Sequence, residues 1–304
     1  MLARIGWSAA FAALLIASPA WAQVTLTRKL VEESEHKSKV TVKIDQKLTL
    51  GGMDAGTKGN TVVEQKISIG KRDADGKLPL ATVTELKTSE LTLPGGITVK
   101  FDSANPDAKG EGAGNPLYDL ILDRLKTNAK TDITVILGKD NKVVEVKGLK
   151  PEAGATEDDI RGQFDEIDKS LPPKAVKKGD TWESEVKANL GQGQIMTFKR
   201  KYTYEGEAFK STVNSTRKLE KITAVDSEVT FSVKEGGGFP GKVTKSELKV
   251  ADSKHTMLFD PAQGRFVEEA AKVQVVGPIG LSIMGIDIGG DLDLTLETKS
   301  EEVN

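Results

Sequence analysis

The sequence predicts a mainly β chain of the β-rich α+β class: antiparallel meander sheets or an open barrel in two related halves, with two helices near the junction. Three observations predict it. Apolar and charged residues alternate with period two over many stretches, which separates the faces of a strand and not those of a helix. Gly, Asp and Asn punctuate those stretches as hairpin turns require. Only two stretches carry apolar residues at helical spacing, and both precede the junction. About 12 to 15 strands are expected, each roughly five to ten residues long.

The chain opens Met1-Leu2-Ala3-Arg4, runs apolar from Ile5 to Ile16, and continues Ser18-Pro19-Ala20-Trp21-Ala22. A positive start, a short apolar core and an A-x-A site read as a signal peptide over 1–22, cleaved after Ala22. That core is too short for a permanent transmembrane helix. The expected protein is therefore exported in a bacterium, to the periplasm or beyond. No cysteine is present, so neither lipid attachment at cysteine nor a disulfide is available, and stability must come from a core.

The N-terminal β half, 23–170, begins with Val40, Val42, Ile44, Leu48 and Leu50 on one face of a strand. A glycine-rich loop, 51–60, leads to a strand marked by Val63, Gln65, Ile67 and Ile69. Gly70–Gly76 turns into one or two strands over Ala81–Leu93, and Ile97, Val99 and Phe101 alternate after Pro94-Gly95-Gly96. Asn115-Pro116 then starts a helix, with Asn as N-cap and Pro at the first helical position. Its stripe is Leu117, Leu120, Ile121 and Leu125. A hairpin over Ile133–Leu137 and Val143–Val146 precedes a second helix, capped by Thr156 and striped by Ile160, Phe164, Ile167 and Leu171.

The C-terminal β half, 171–304, opens at Leu171-Pro172-Pro173, which ends that helix. Gly179 and Asp180 make a turn, and Trp182 opens the first strand and should be buried. Met196, Phe198, Tyr202 and Tyr204 share a face of the next strand, with Arg200 among them. Strands follow over Leu219–Val225, Val229–Val233, Val243–Val250, Thr256–Phe259, Arg265–Glu268, Lys272–Val276 and Leu292–Leu296. The hairpins at Asp132–Val146 and His255–Glu268 share a cadence, which either an ancient duplication or the general form of hairpins explains.

Charge is balanced, with 43 basic against 45 acidic residues interspersed along the chain. That speaks against nucleic acid and anionic membrane as partners, since both need a concentrated basic face. Nor is an integral membrane segment expected after signal cleavage. Polar outward positions, few aromatics and the polar end Glu301-Glu302-Val303-Asn304 argue against an outer-membrane barrel.

The chemical motifs are sparse. Asp73-Ala74-Asp75-Gly76 lacks the further ligands of a calcium loop and reads as a turn. Gly110–Asn115 lacks the strand and the Lys-Ser/Thr of a phosphate loop. Of the two histidines, His36 is expected in solvent, and His255 has Ser253 and Asp252 beside it. Residues so close along one chain rarely reach triad geometry, so no catalytic residue is assigned. With no cysteine and two histidines, no metal site and no cofactor are expected. Asn214-Ser215-Thr216 matches a glycosylation sequon and says little by itself.

One segment departs from the grammar of the rest. Val273–Ile288 is apolar and broken by glycine. A buried strand pair, the wall or lid of a cavity, and a partner surface each explain it. On the cavity reading Ile279, Leu281, Ile283, Met284 and Ile286 bind the ligand, with Met as an adaptable wall.

The junction phrase Leu171-Pro172, Lys174, Val176-Lys177, Gly179-Asp180 and Trp182 resembles that of a family of uncharacterised bacterial exported β-rich proteins. In these a signal peptide precedes two related halves, and P-x-x-x-V-x-x-G-D-x-W starts the second. The resemblance implies a fold and no catalytic residues, with Gly179, Asp180 and Trp182 in structural roles. In fold grammar the chain is also similar to periplasmic carriers of the LolA/LolB kind. The expected function is an exported, non-enzymatic binding or carrier protein for an apolar small molecule or lipid. A structural or protein-interaction component of the cell envelope is the alternative, and a hydrolase with a dispersed site comes third.

Overall fold

The computed structural model describes residues 23–108, 110, 112–149, 156–191, 193–211, 216–234, 241–283 and 285–303. The first half contributes β1 (Ser34–Leu50), β2 (Met53–Asp54), β3 (Thr57–Ile69), β4 (Leu78–Thr92), β5 (Thr98–Asp102), α1 (Pro116–Thr127), β6 (Asp132–Leu137), β7 (Val143–Lys147) and α2 (Glu157–Lys169). The second contributes β8 (Thr181–Gly191), β9 (Gln194–Ser211), β10 (Thr216–Val233), β11 (Gly241–Ser246), β12 (Lys249–Asp260), β13 (Arg265–Ile283) and β14 (Ile286–Val303). Among the described residues these 14 strands form a single antiparallel sheet that does not close. The mainly β fold expected from the sequence is thus one sheet shared by both halves.

Across the sheet the order is β7-β6-β4-β3-β1-β14-β13-β12-β10-β9-β8, with β2, β5 and β11 pairing off this path. The chain starts at the centre, steps outward to β7, crosses by α2 to β8 at the far edge, and steps back. It ends with β14 laddered against β1, from Lys37↔Val303 to Leu50↔Gly290.

The strands are longer than the alternation predicts, because bulges interrupt it. β10 runs 18 residues through register shifts at Lys221/Ile222 and Asp226/Glu228. β13 runs 19 residues and joins two predicted strands across the shift opposite Leu258/Phe259. An inserted residue moves the apolar positions to the other phase, so one strand reads as two. Conversely, the strand expected over Val243–Val250 straddles the break between β11 and β12.

Both helices start where their caps place them. Asn115 accepts from Leu117 and Tyr118 N–H groups, and Thr156 forms a capping box with Asp159. The buried face of α1 differs from the expected stripe. Tyr118 and Leu122 face Val99 and Phe101, while Leu117 and Leu120 are exposed. The Tyr118 hydroxyl accepts from Gly110 N–H at 2.9 Å, and that anchoring of the preceding loop selects a face rotated from the aliphatic one.

The junction phrase has a local physical account. Gly179 has φ +90°, a left-handed conformation that favours glycine. Asp180 accepts from Lys177 N–H at 3.0 Å, and Gly179 N–H donates to Tyr204 at 2.8 Å while Tyr204 N–H returns to Asp180 at 3.0 Å. Val176 exchanges two backbone bonds with Val24. Trp182 is half-buried and not enclosed; it stacks on its cross-strand partner Tyr202 at 5.3 Å and packs with Leu171.

α2 covers the gap between the two sheet edges. Arg161 donates to the carbonyl oxygens of Val143 and Val144 on β7. Glu166 accepts from Lys187 N–H on β8 at 3.2 Å. Arg28 sits over the Phe164 ring at 4.9 Å, and Asp165 pairs with Lys142 at 3.1 Å. Side chains of one helix therefore satisfy free backbone groups on both edges, which would otherwise template foreign strands. The sheet curls to make this reach possible.

Candidate functional site

Two cavities lie between α2 and the inner face of the curled sheet. The first, about 290 Å³, is walled by Ala188, Phe198, Val273, Val275, Leu294 and Leu296 from β8, β9, β13 and β14. The second, about 340 Å³, is walled by Leu30, Ile67, Leu80, Phe164, Phe259 and Val267. Ile167 of α2 and Phe266 and Glu269 of β13 border both, so the two spaces adjoin under the helix. Alone, they sit at the small end of ligand pockets; adjoined, they fall well within the usual size. The space arises where small side chains, Ala188 and Ala271, replace the bulky ones that fill the sheet elsewhere.

A polar cluster borders the first cavity. The Asp226 side chain has no exposed surface. It accepts from Arg200 Nε at 2.7 Å and Nη2 at 3.3 Å, and from Ser253 Oγ at 3.0 Å, and lies 2.7 Å from His255 Nε2. Burial alone would raise its pKa, but hydrogen bonds from His255 and Arg200 outweigh burial and hold it at about 2. Ser253 Oγ is also 3.2 Å from His255 Nε2. Serine and carboxylate thus meet the same ring nitrogen, whereas a catalytic triad places them on opposite nitrogens. The acid is Asp226 on β10, not the sequence neighbour Asp252. The cluster ties β9, β10 and β12 together and has the geometry of a structural clamp.

Some polar side chains at the cavities stand apart from that network, among them Ser38 at the second cavity, whose buried Oγ is unpaired. Glu269 has no hydrogen-bond or ion-pair partner within the described residues, and burial raises its pKa, with Arg200 opposing. Tyr202 has no exposed surface. Burial raises its pKa too; Ser184 and Arg200 lie close enough to temper the rise, yet neither reaches hydrogen-bond geometry, so the hydroxyl is unpaired. His36 borders the second cavity half-buried instead of standing in solvent, and its pKa is lowered by burial and by Arg265. At that end Glu302 pairs with both Arg217 and Arg265.

Of the residues expected to bind ligand, Ile279, Leu281 and Ile286 lie away from both cavities. Ile279 and Leu281, each 6% exposed, pack into a solid cluster with Phe231 and Leu248 and border neither cavity. Ile283 ends β13, Ile286 is 66% exposed, and Met284 lies outside the described residues. Gly277 and Gly290 serve close strand approach. A Cβ on Gly277, φ +138°, would lie 2.5 Å from the Glu247 carbonyl oxygen, and one on Gly290 would overlap that of Thr49. Of the segment, only Val273 and Val275 reach the first cavity. The signal that could have found the wall is Glu268-Glu269-Ala270-Ala271, charged and small residues in the middle of a strand.

Among the described residues no group of three or more metal-binding side chains converges, and no helix is long and apolar enough to cross a membrane. The two predicted residues of the sequon before Thr216 lie outside the described residues.

No family model matches the chain, and no curated protein matches it. Among solved structures it is similar to lipovitellin, described by its lipid-protein interactions, at 10% identity and a TM-score of 0.46, over 91% of this chain and 26% of that one. The chain thus spans about a quarter of that protein's length. A DUF1329 family protein from Desulfovibrio piger gives 9% identity and a TM-score of 0.13, over 87% and 86% of the two chains. Pseudomonas aeruginosa OccK8 (OprE) gives 8% and 0.18, over 90% and 98%. These TM-scores are too low for any of the three to bear on what this chain does.

Proposed function

We propose that the protein is an exported, non-enzymatic binding or carrier protein for an apolar, lipid-like ligand held between α2 and the sheet. One observation carries the reading: two adjoining, mainly apolar cavities that meet beneath a helix bridging two sheet edges. A helix held by a few side-chain bonds can lift more readily than a strand can leave a sheet, which gives a ligand a route in. Ile167, 41% exposed while bordering both cavities, supplies an apolar rim at that entrance.

The test is a titration of the mature protein with N-phenyl-1-naphthylamine, a neutral probe that brightens in apolar surroundings. Saturable binding is expected. Ala271→Phe, which fills the first cavity, should weaken it while leaving the melting temperature nearly unchanged. Absence of saturable binding, or unaltered binding by a folded Ala271→Phe protein, would sink the reading. Intact mass of exported protein starting at Gln23 would support the address; retention of Met1 would overturn it.

A further inference from the structure

We infer that the ligand is an amphipathic anion, with a carboxylate or phosphate head group taken by the Arg28 guanidinium at the rim of the second cavity. The inference rests on the cavity reading above. Arg28, Lys29 and Arg265 line that cavity together with Glu268, Glu269 and Glu302, and most of these charges already answer one another. Glu302 pairs with Arg265 and with Arg217, which Asp260 shares, and Glu268 pairs with Lys210 at 2.9 Å. Arg28 is answered only loosely: its Nη1 lies 3.4 Å from an Asp168 side chain that is itself 46% exposed. Its Nε and Nη2 have no partner among the described residues, yet they are not sealed from solvent. The Lys29 ammonium donates to the Pro261 carbonyl oxygen at 2.7 Å, a neutral group. His36, on the same wall, is held towards its neutral form by burial and by Arg265. Two cations thus stand against Glu269 alone.

The segment that carries Arg28 is fixed on both sides. Val24 exchanges backbone bonds with Val176, Leu26 is 3% exposed, and Lys29 N–H donates to the Gly264 carbonyl oxygen at 3.0 Å. The Phe164 ring of α2 backs the guanidinium at 4.9 Å. Leu30 and Phe164 both wall the cavity beside Arg28, so a head group held there leaves its chain in the apolar space. A guanidinium offers paired N–H donors that match two oxygens of a carboxylate or phosphate, and such charge-assisted bonds are the strong ones. Lifting α2, the route in, also parts Asp168 from Arg28 and frees a further donor. An ammonium head would meet two cations. A neutral head would leave both as loosely answered as before.

Displacement of N-phenyl-1-naphthylamine by a chain-matched series tests this: dodecanoate, dodecyl phosphate, 1-dodecanol and dodecylammonium. At least one of the two anions should displace the probe at concentrations about tenfold lower than dodecanol, the effect of a charge-assisted hydrogen bond. The stronger anion names the head group. Arg28→Met, which keeps an apolar stem against Phe164, should bring that anion to within about threefold of dodecanol and leave dodecanol itself unchanged. Asp168→Asn, at an exposed position, should sharpen the preference for the anion by about threefold, and it decides the matter if Arg28→Met does not fold. Dodecanol as strong as both anions in the unaltered protein would overturn the inference while the cavity reading stood. Stronger displacement by dodecylammonium, or an unchanged order in a folded Arg28→Met protein, would overturn it equally. If the probe itself does not bind, both fall.

Discussion

Asp226→Asn removes one charge and almost no volume. In the folded chain this carboxylate receives Arg200 and Ser253 and lies against His255, with no exposed surface. Asparagine keeps one oxygen and turns an NH₂ towards groups that themselves donate. The Arg200 side chain, 16% exposed, then lacks a counter-ion. Removing one partner of a buried pair costs about 3–5 kcal/mol. The acidity of Asp226 gives an independent measure. Its pKa is held at about 2 against an ordinary 3.8, which corresponds to roughly 2–3 kcal/mol at about 1.4 kcal/mol per pH unit. Because the folded pKa lies below the unfolded one, that contribution is present above about pH 4 and is lost as pH falls towards 2. Urea unfolding followed by circular dichroism should show Asp226→Asn less stable by about 3 kcal/mol at pH 7, with a shallower loss between about pH 4 and 2. Adding Arg200→Met to Asp226→Leu should restore much of the difference, since a buried pair can be exchanged for apolar groups. A cost below about 1 kcal/mol at pH 7, or the same acid sensitivity in both proteins, would refute the account.

Four further outcomes are expected. Gly290→Ala should destabilise by several kcal/mol because its Cβ overlaps the Thr49 carbonyl. Gly289→Ala, with open space around it, should stay within about 0.5 kcal/mol in the same urea melts. Glu166→Ala should speed amide exchange at Lys187, whose N–H it accepts, and unchanged protection there would mean that α2 does not seal β8. Trp182→Ala should cost about 2–3 kcal/mol, less than the ~3–5 typical of an enclosed aromatic, because the ring is half-buried; its emission should move red in one step on unfolding.

The sequence made the strands, helix starts and junction turn legible because each is local. Asn115-Pro116 and Thr156 mark their helices within a turn, and Gly179-Asp180 folds by bonds spanning a few residues. Bulges escaped notice since they leave no residue type behind, only a change of phase at Ile222 and Glu228. The cavity wall escaped for a different reason. Apolarity drew attention to Ile279 and Leu281, yet a cavity forms where bulk is missing, as at Ala271, and this shows only once β8, β13 and β14 are assembled. The clamp was half visible: Ser253 and His255 stand together in sequence, but Asp226 comes from another strand.

The ladder between β1 and β14 joins Lys37 to Val303, close to the full length of the described chain. Pairing so remote in sequence is slow, since loop closure must precede any reward. Until β14 is made, β1 and β13 each present a bare edge to solvent, and such edges invite association with other chains. The halves can zip outward separately during synthesis, but they remain two meanders until the last strand docks between them. A chain cut just before Ile286 should therefore behave as an aggregating pair of half-sheets, each with a bare edge where β14 would dock.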